Sequence, residues 1–206
     1  MACKQNISNK VDTEEQGDKM IQLHATHKLF NRLPLNDSSQ LAVTPRSQWL
    51  FTQPTVDINP LSSWHGNLIT LQRRNCVLLV HDATRFPLVL PALIKKDFAE
   101  LNNYFVDSFI NTLLKCGADE EHLSAAQHYL RPLQVDTQCS RSVQGTLNQM
   151  KGDIEHIVRF DSLNMAELAG YSLGQLLADR PCSVKDRGYL WPQKEMLSLL
   201  SRLAVV

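Results

Sequence analysis

The sequence predicts an α+β fold: a small antiparallel β-meander sheet packed against four or five helices. Three observations predict it. Short apolar runs separated by short polar turns fill residues 64–90, as in consecutive hairpins. Apolar residues at helical spacing then recur through residues 97–178. Composition is ordinary for a globular chain, 43% hydrophobic and 20% charged over 206 residues, enough to bury a core without staples.

Residues 1–19 are polar and charged with almost no large apolar group, and such a segment reads as a disordered tail. A single domain follows over 20–206. Ile21, Leu23 and Ala25 alternate as a half-buried strand, and a short helical turn with Leu29, Phe30 and Leu33 on its apolar side comes next. Residues 34–63 carry Pro34, Pro45, Pro54 and Pro60 and read as a long irregular loop. Trp49, Leu50 and Phe51 are expected to dock its middle onto the body.

Gly66–Leu71 and Cys76–His81 are predicted as strands joined across Gln72 to Asn75, and "DATR" turns the chain into a third run, Phe86–Leu90. Cys76 to Val80 is apolar throughout, which predicts the central strand, covered on both faces. Pro87 and Pro91 push the third run toward an edge.

Asp97 and Glu100 have the spacing of a helix cap, and Phe98, Leu101, Phe105, Phe109 and Leu113 follow until Gly117 stops the helix. Asp119 is expected to cap a second helix ending at Pro132. "LQVDTQ" is either a short strand or a loop. The third helix has one narrow stripe: Val143, Leu147, Met150, Ile154, Ile157 and Val158. A fourth, after an Asn164-to-Glu167 cap signal, carries Met165, Leu168, Ala169, Leu173, Leu176 and Leu177. Residues 179–191 read as a loop, and Lys194–Leu203 as a last short helix.

Lys plus Arg equals Asp plus Glu at 21 each, so a strongly basic nucleic-acid binder is disfavoured. The five cysteines are scattered without a C-x-x-C pair, which predicts reduced thiols and a cytoplasmic setting. No apolar run is long enough to span a membrane, and no apolar leader is present.

Several features bear on function. The Arg73-Arg74 tip can engage phosphate or an acidic partner, although charged turn tips also simply face water. Opposite the third helix's apolar stripe lie Arg141, Gly145, Asn148, Gly152 and Arg159. Two glycines inside a helix cost roughly 1 kcal/mol each relative to alanine, so they mark either a bare strip for ligand approach or tolerance on a solvated face. His24 and His27 would face opposite sides of a straight strand, and no third ligand has diagnostic spacing, so no metal site is predicted. Cofactor motifs are missing too. Cys76 lies in an apolar run that disfavours thiolate. His81, Asp82 and Thr84 at one turn suit either acid–base work or ordinary turn hydrogen bonding.

"MIQLHATHKLFNRL", "WHGNLITLQRRNCVLLVHDATRFPLVLPALIKKDF", "RSVQGTLNQM" and "LNMAELAGYSLGQLL" resemble, in that order, a small bacterial domain family of unknown function. Its pattern is matched at Lys28-Leu29, Trp64, Asn67, Arg73, Arg74, Cys76, Arg141, Ser142, Gly145 and Asn148, across residues 20–178. His24 and His27 depart from it, since the pattern tends toward Cys and Lys there. The resemblance implies the α+β architecture and the boundaries, and no activity.

The expectation from these readings is a non-catalytic binding module for an anionic ligand: a nucleic-acid backbone, a nucleotide or an acidic protein surface. Its expected site joins Lys28, Asn67, Arg73, Arg74, Arg141, Ser142 and Asn148, with no cofactor and no metal. The alternatives are a small metal-independent hydrolase or nuclease-like enzyme around His81, Asp82 and Arg141, and a protein-interaction factor using the Trp49 loop.

Overall fold

Strand β1 (Ile21–Ala25) turns Ile21, Leu23 and Ala25 into the core and leaves Gln22 and His24 half-buried on the other face. That alternation follows from the two-residue period of a strand. The computed structural model describes residues 20–54, 56, 59–160, 164, 168–185 and 187–204. The expected tail, residues 1–19, lies outside them.

β2 (Trp64–Leu71), β3 (Arg74–His81) and β4 (Pro87–Leu93) form the expected antiparallel meander. The β2–β3 turn is only Gln72 and Arg73, both with positive φ (46° and 63°), so Arg74 already sits in a strand opposite Leu71. β4 is an edge strand. Pro87 occupies its first position, and the register slips between Asn75 and Val77, opposite the stretch that holds Pro91.

The sheet is larger than a meander. Its order is β4-β3-β2-β1-β5, and β1 pairs in parallel with both β2 and β5 (Leu133–Asp136). The expectation of a purely antiparallel sheet is therefore corrected to a mixed one. Alternating residues report that a strand exists and which face is buried. They do not report its direction, which depends on long connections returning the chain to the same end. The segment between β1 and β2 and the helices between β4 and β5 do this.

Seven helices lie among the described residues: α1 (His27–Phe30), α2 (Gln48–Phe51), α3 (Leu101–Lys115), α4 (Glu120–Tyr129), α5 (Arg141–Phe160), α6 (Gly170–Ala178) and α7 (Pro192–Ala204). They cover both faces of the sheet, which corrects the expectation of four or five helices on one side. Leu101, Phe105, Phe109 and Leu113 of α3 meet Leu68, Val77, Leu79 and Leu88 on one face, with α4 and α7 behind. Val143, Leu147, Met150, Ile154, Ile157 and Val158 of α5 meet Ile69, Leu71, Cys76, Leu78 and Val80 on the other. Each such side chain contributes roughly 1.5–3 kcal/mol by leaving water. β3 is thus buried on both faces, as its apolar run predicts, but it is not the expected central strand: β1 and β5 extend the sheet so that β2 is. Trp64 anchors the first core: its ring lies edge-on to Phe105 at 5.1 Å, and Nε1–H donates to the Leu61 carbonyl at 2.7 Å.

Local signals held at some helix ends and shifted at others. Gly117, at φ 84°, follows α3, and the Asp119 carboxylate accepts from the His122 N–H at the start of α4. Asp97 is not a cap residue. It sits at the third position of a 3₁₀ turn (Lys95–Glu100) and accepts from the Ile94 N–H at 2.8 Å. The four-residue cap spacing fits either reading, and the tighter turn wins. α6 begins at Gly170, after Leu168 and Ala169. Its Leu176 is exposed, and Met165 and Glu167 lie outside the described residues. An added Cβ at Gly170 would meet the Val89 carbonyl, which explains a glycine where α6 crosses β4.

The 34–63 segment docks through Leu41, Leu50 and Leu61, all buried. Residues 179–191 are not a plain loop: β6 (Cys182–Val184) and β7 (Gly188–Leu190) form a separate hairpin. Runs of three residues are too short for periodicity to register.

Candidate functional site

β1 and β5 lie side by side and point the same way, and the elements that leave them part to opposite faces. After β1, α1 folds onto the α3 side, where Leu29 joins that core. Gly66 permits this, since a Cβ there would come within 2.8 Å of the Leu29 side chain. After β5, α5 crosses to the other side. Where neighbouring connections diverge, the carboxyl ends of the strands form a natural binding crevice.

A polar cluster gathers at those ends. His24 of β1 and Asp136 of β5 are register partners, and His24 Nδ1–H donates to Asp136 Oδ1 at 2.7 Å. The Asp136 carboxylate also accepts from the Gln138 N–H at 2.8 Å, holding the turn toward α5. The His65 ring lies 4.7 Å from His24, and its Nδ1 accepts from the Ser140 N–H at 3.4 Å. Burial, aided by His24 beside it, pushes the His65 pKa down to about 4, so this imidazole is neutral near pH 7. Thr26 Oγ1–H donates to Asn67 Oδ1 at 3.1 Å, tying the start of α1 to β2.

Arg85 completes the cluster. It is 4% exposed, with Nη1–H donating to Asp82 at 2.7 Å and Nη2–H donating to Ser142 Oγ at 3.1 Å. A buried guanidinium therefore lies under the first turn of α5, where the helix's leading N–H groups have no intrahelical acceptor. Among the described residues, Arg85 Nε is a buried donor without an acceptor, while the Gln144 side chain above it is hydrogen-bonded to Cys139. Such an unmatched donor in a native interior calls for an explanation.

The expected site residues divide into two groups. Lys28, Asn67, Arg141 and Ser142 belong to this end: Lys28 is exposed two residues beyond Thr26, and Arg141 and Ser142 are exposed at the start of α5. Asn148 follows, also exposed, two turns along. Arg73 and Arg74 belong to the opposite end. Gln72 of their turn shares a cavity with Glu155, Val158 and Arg159, at the far end of α5. Arg141 and Arg159 are about 27 Å apart at 1.5 Å per residue, so the hairpin tip and the helix start do not share one hollow. The expectation of a single site joining them is corrected. β2 and α5 run alongside each other, so opposite ends of β2 meet opposite ends of the helix.

His81, the centre of the alternative reading, is enclosed. His81 is buried, with Nε2–H donating to the Ser62 carbonyl and Nδ1 accepting from Thr84 Oγ1–H. Burial lowers its pKa to about 4, and both ring nitrogens are hydrogen-bonded within the protein. Burial pushes the Cys76 thiol up to about 12. Trp49, half-exposed, lines a cavity of about 510 Å³ with Val106, Ile110 and Leu130. Among the described residues no three His, Cys, Asp or Glu side chains are grouped to hold a metal, and no helix is long and apolar enough to cross a membrane.

Sequence reasoning missed Arg85, Asp136 and His65. The parity of β5 could have placed Asp136 on the His24 face once the two strands were paired. No local signal marks Arg85, which reads as the last residue of a polar turn.

These features define a class: an α+β domain on a mixed sheet, with a buried polar cluster where two parallel strands part. The chain belongs to the family described as a domain of unknown function (DUF6933), whose model matches residues 22–195. No curated protein and no solved structure matches the chain.

Proposed function

We propose that this protein is a binding module for an anionic ligand, and that the ligand sits at the start of α5 over the carboxyl ends of β1 and β5. One observation carries the reading: a buried cationic donor left over at this end. Arg85 Nε lacks an acceptor among the described residues, beneath a helix start that already favours negative charge. Arg141 and Ser142, exposed above it, supply a charge-assisted donor and a hydroxyl. Lys28, Asn67 and Asn148 flank the position.

Arg73 and Arg74 are not part of this site, because their hairpin tip lies at the other end of α5. The test is titration calorimetry with pyrophosphate and a nucleoside triphosphate. Saturable binding lost in Arg141→Ala and kept in Arg73→Ala/Arg74→Ala supports the reading. Equal loss in both variants, or no binding by the parent, removes it.

A further inference from the structure

Tyr189 and Trp191 lie on either side of the buried Leu190, 75% and 41% exposed. Residues two apart along an extended segment share a face and stand roughly 6.6 Å apart. β7 and the residue that follows it therefore expose two aromatic side chains to solvent. Large aromatics held in the open on a short ordered hairpin form a contact surface, since their burial against the body would otherwise be favourable.

Hydrogen bonds join the hairpin to the turn that carries Arg85. Arg187, in its turn, donates to the Ala83 carbonyl. Ala83 belongs to the same turn as Asp82 and Arg85, and Arg85 donates to Ser142 at the start of α5. Arg85 is also close enough to Cys182, on β6, to influence its thiol. These contacts join the hairpin that carries Tyr189 to the start of α5. The charge around the rings is positive in part: Lys194 Nζ lies over one face of the Trp191 ring, 5.0 Å from its centre, so a base would stack on the other face or displace this ammonium, and Lys185 is exposed in the hairpin, whereas Arg187 is engaged by Glu195.

We infer that the anionic ligand is a single strand of nucleic acid, whose bases stack on Tyr189 and Trp191 while its phosphates reach Arg141 and the start of α5. This rests on the anion-binding reading and names its ligand. A base offers a flat π-face of any sequence, and an aromatic pair beside an anion site is how proteins hold unpaired strands. A small acidic metabolite would use the helix start and leave the rings idle. Duplex bases are already stacked and cannot cover them. The chain carries no net charge, so few phosphates are contacted and stacking supplies much of the affinity. The salt dependence is accordingly shallow, a log–log slope of about −2 for three phosphates at roughly −0.7 each.

The experiment is fluorescence anisotropy of a labelled strand of about twelve thymidines, with the matching uridine strand and a duplex of equal length as comparisons. Pyrophosphate and polyphosphate are titrated in parallel. The parent should bind either single strand and not the duplex. Tyr189→Ala and Trp191→Ala should each weaken this by roughly 5- to 150-fold, the range of one stacked base per ring. Tyr189→Phe should restore it, and none of these variants should change polyphosphate binding. Arg141→Ala should weaken both ligands. If polyphosphate binds in an Arg141-dependent way while the strands bind no tighter, or while the alanine variants match the parent, the inference is overturned and the anion site stands. If the duplex binds as tightly as the strands, stacking is likewise overturned. If neither polyphosphate nor strand binds, both readings fall.

Discussion

His24 and Asp136 meet at 2.7 Å from adjacent parallel strands that are 112 residues apart in the chain. The contact closes the carboxyl end of the sheet and sets where the chain turns into α5, because the same carboxylate holds the Gln138 N–H. Both side chains are partly exposed, at 17% and 32%, so the pair is screened and its net contribution is modest. Asp136→Ala should lower unfolding stability by about 1–2 kcal/mol, from the pair and the lost turn bond together. Urea denaturation near neutral pH measures it. A change within error would mean that the pair is incidental to the fold.

Stability should fall steeply with acid below neutrality. Burial holds both His65 and His81 near pKa 4 in the folded state, against about 6.5 when unfolded. Between those values the unfolded chain binds more protons, so stability rises with pH there. The contribution is fully present above pH 6.5 and is lost as pH drops toward 4. Urea midpoints at pH 7.5 and pH 5 should differ clearly, and His81→Gln should flatten the difference. Equal midpoints in the parent would show that these imidazoles are not held neutral.

The glycines of α5 and α6 should respond in opposite directions. Gly145 and Gly152 have open space where a Cβ would stand. Gly145→Ala and Gly152→Ala should each stabilise by up to about 1 kcal/mol through helix propensity. Gly170→Ala drives a methyl into the Val89 carbonyl and should destabilise by several kcal/mol, on the scale of overpacking with backbone displacement. Thermal midpoints of the three variants decide this. Stability alone does not test the anion site, so Gly145→Ala should also be titrated with pyrophosphate. A loss there would show close ligand approach along this strip.

Arg85 should not tolerate a change of cation. Its planar guanidinium reaches Asp82 and Ser142 at once, and lysine has one ammonium that cannot span both. Arg85→Lys should cost about 1–2 kcal/mol of stability, as one charge-assisted bond is lost. It should also weaken pyrophosphate binding, because the α5 start loses its fixed neighbour. Parent-like stability and binding in this variant would mean that Arg85 only fills space.

Much of the architecture was legible locally. The β2–β4 meander, the two-sided burial of β3, the edge position of β4 and the buried stripe of α5 all follow from period and from proline, which act within a few residues. The direction of β1 and β5 was not legible, nor was the β6–β7 hairpin, and each failure has a local cause. Strand polarity leaves no trace in alternation, and three-residue strands are shorter than any pattern.

The sequence by itself determined which residues would be buried and which would turn, because burial and backbone preference are properties of neighbours in the chain. It also singled out Arg141, Ser142, Lys28 and Asn67 as polar groups on a patterned frame. Only the tertiary structure decided which of them stand together. It set Arg73 and Arg74 at the far end of α5 and brought Arg85, His65 and Asp136 to the near end. Distances between residues remote in sequence are set by strand pairing and helix packing, and these emerge only when both faces of the sheet are covered.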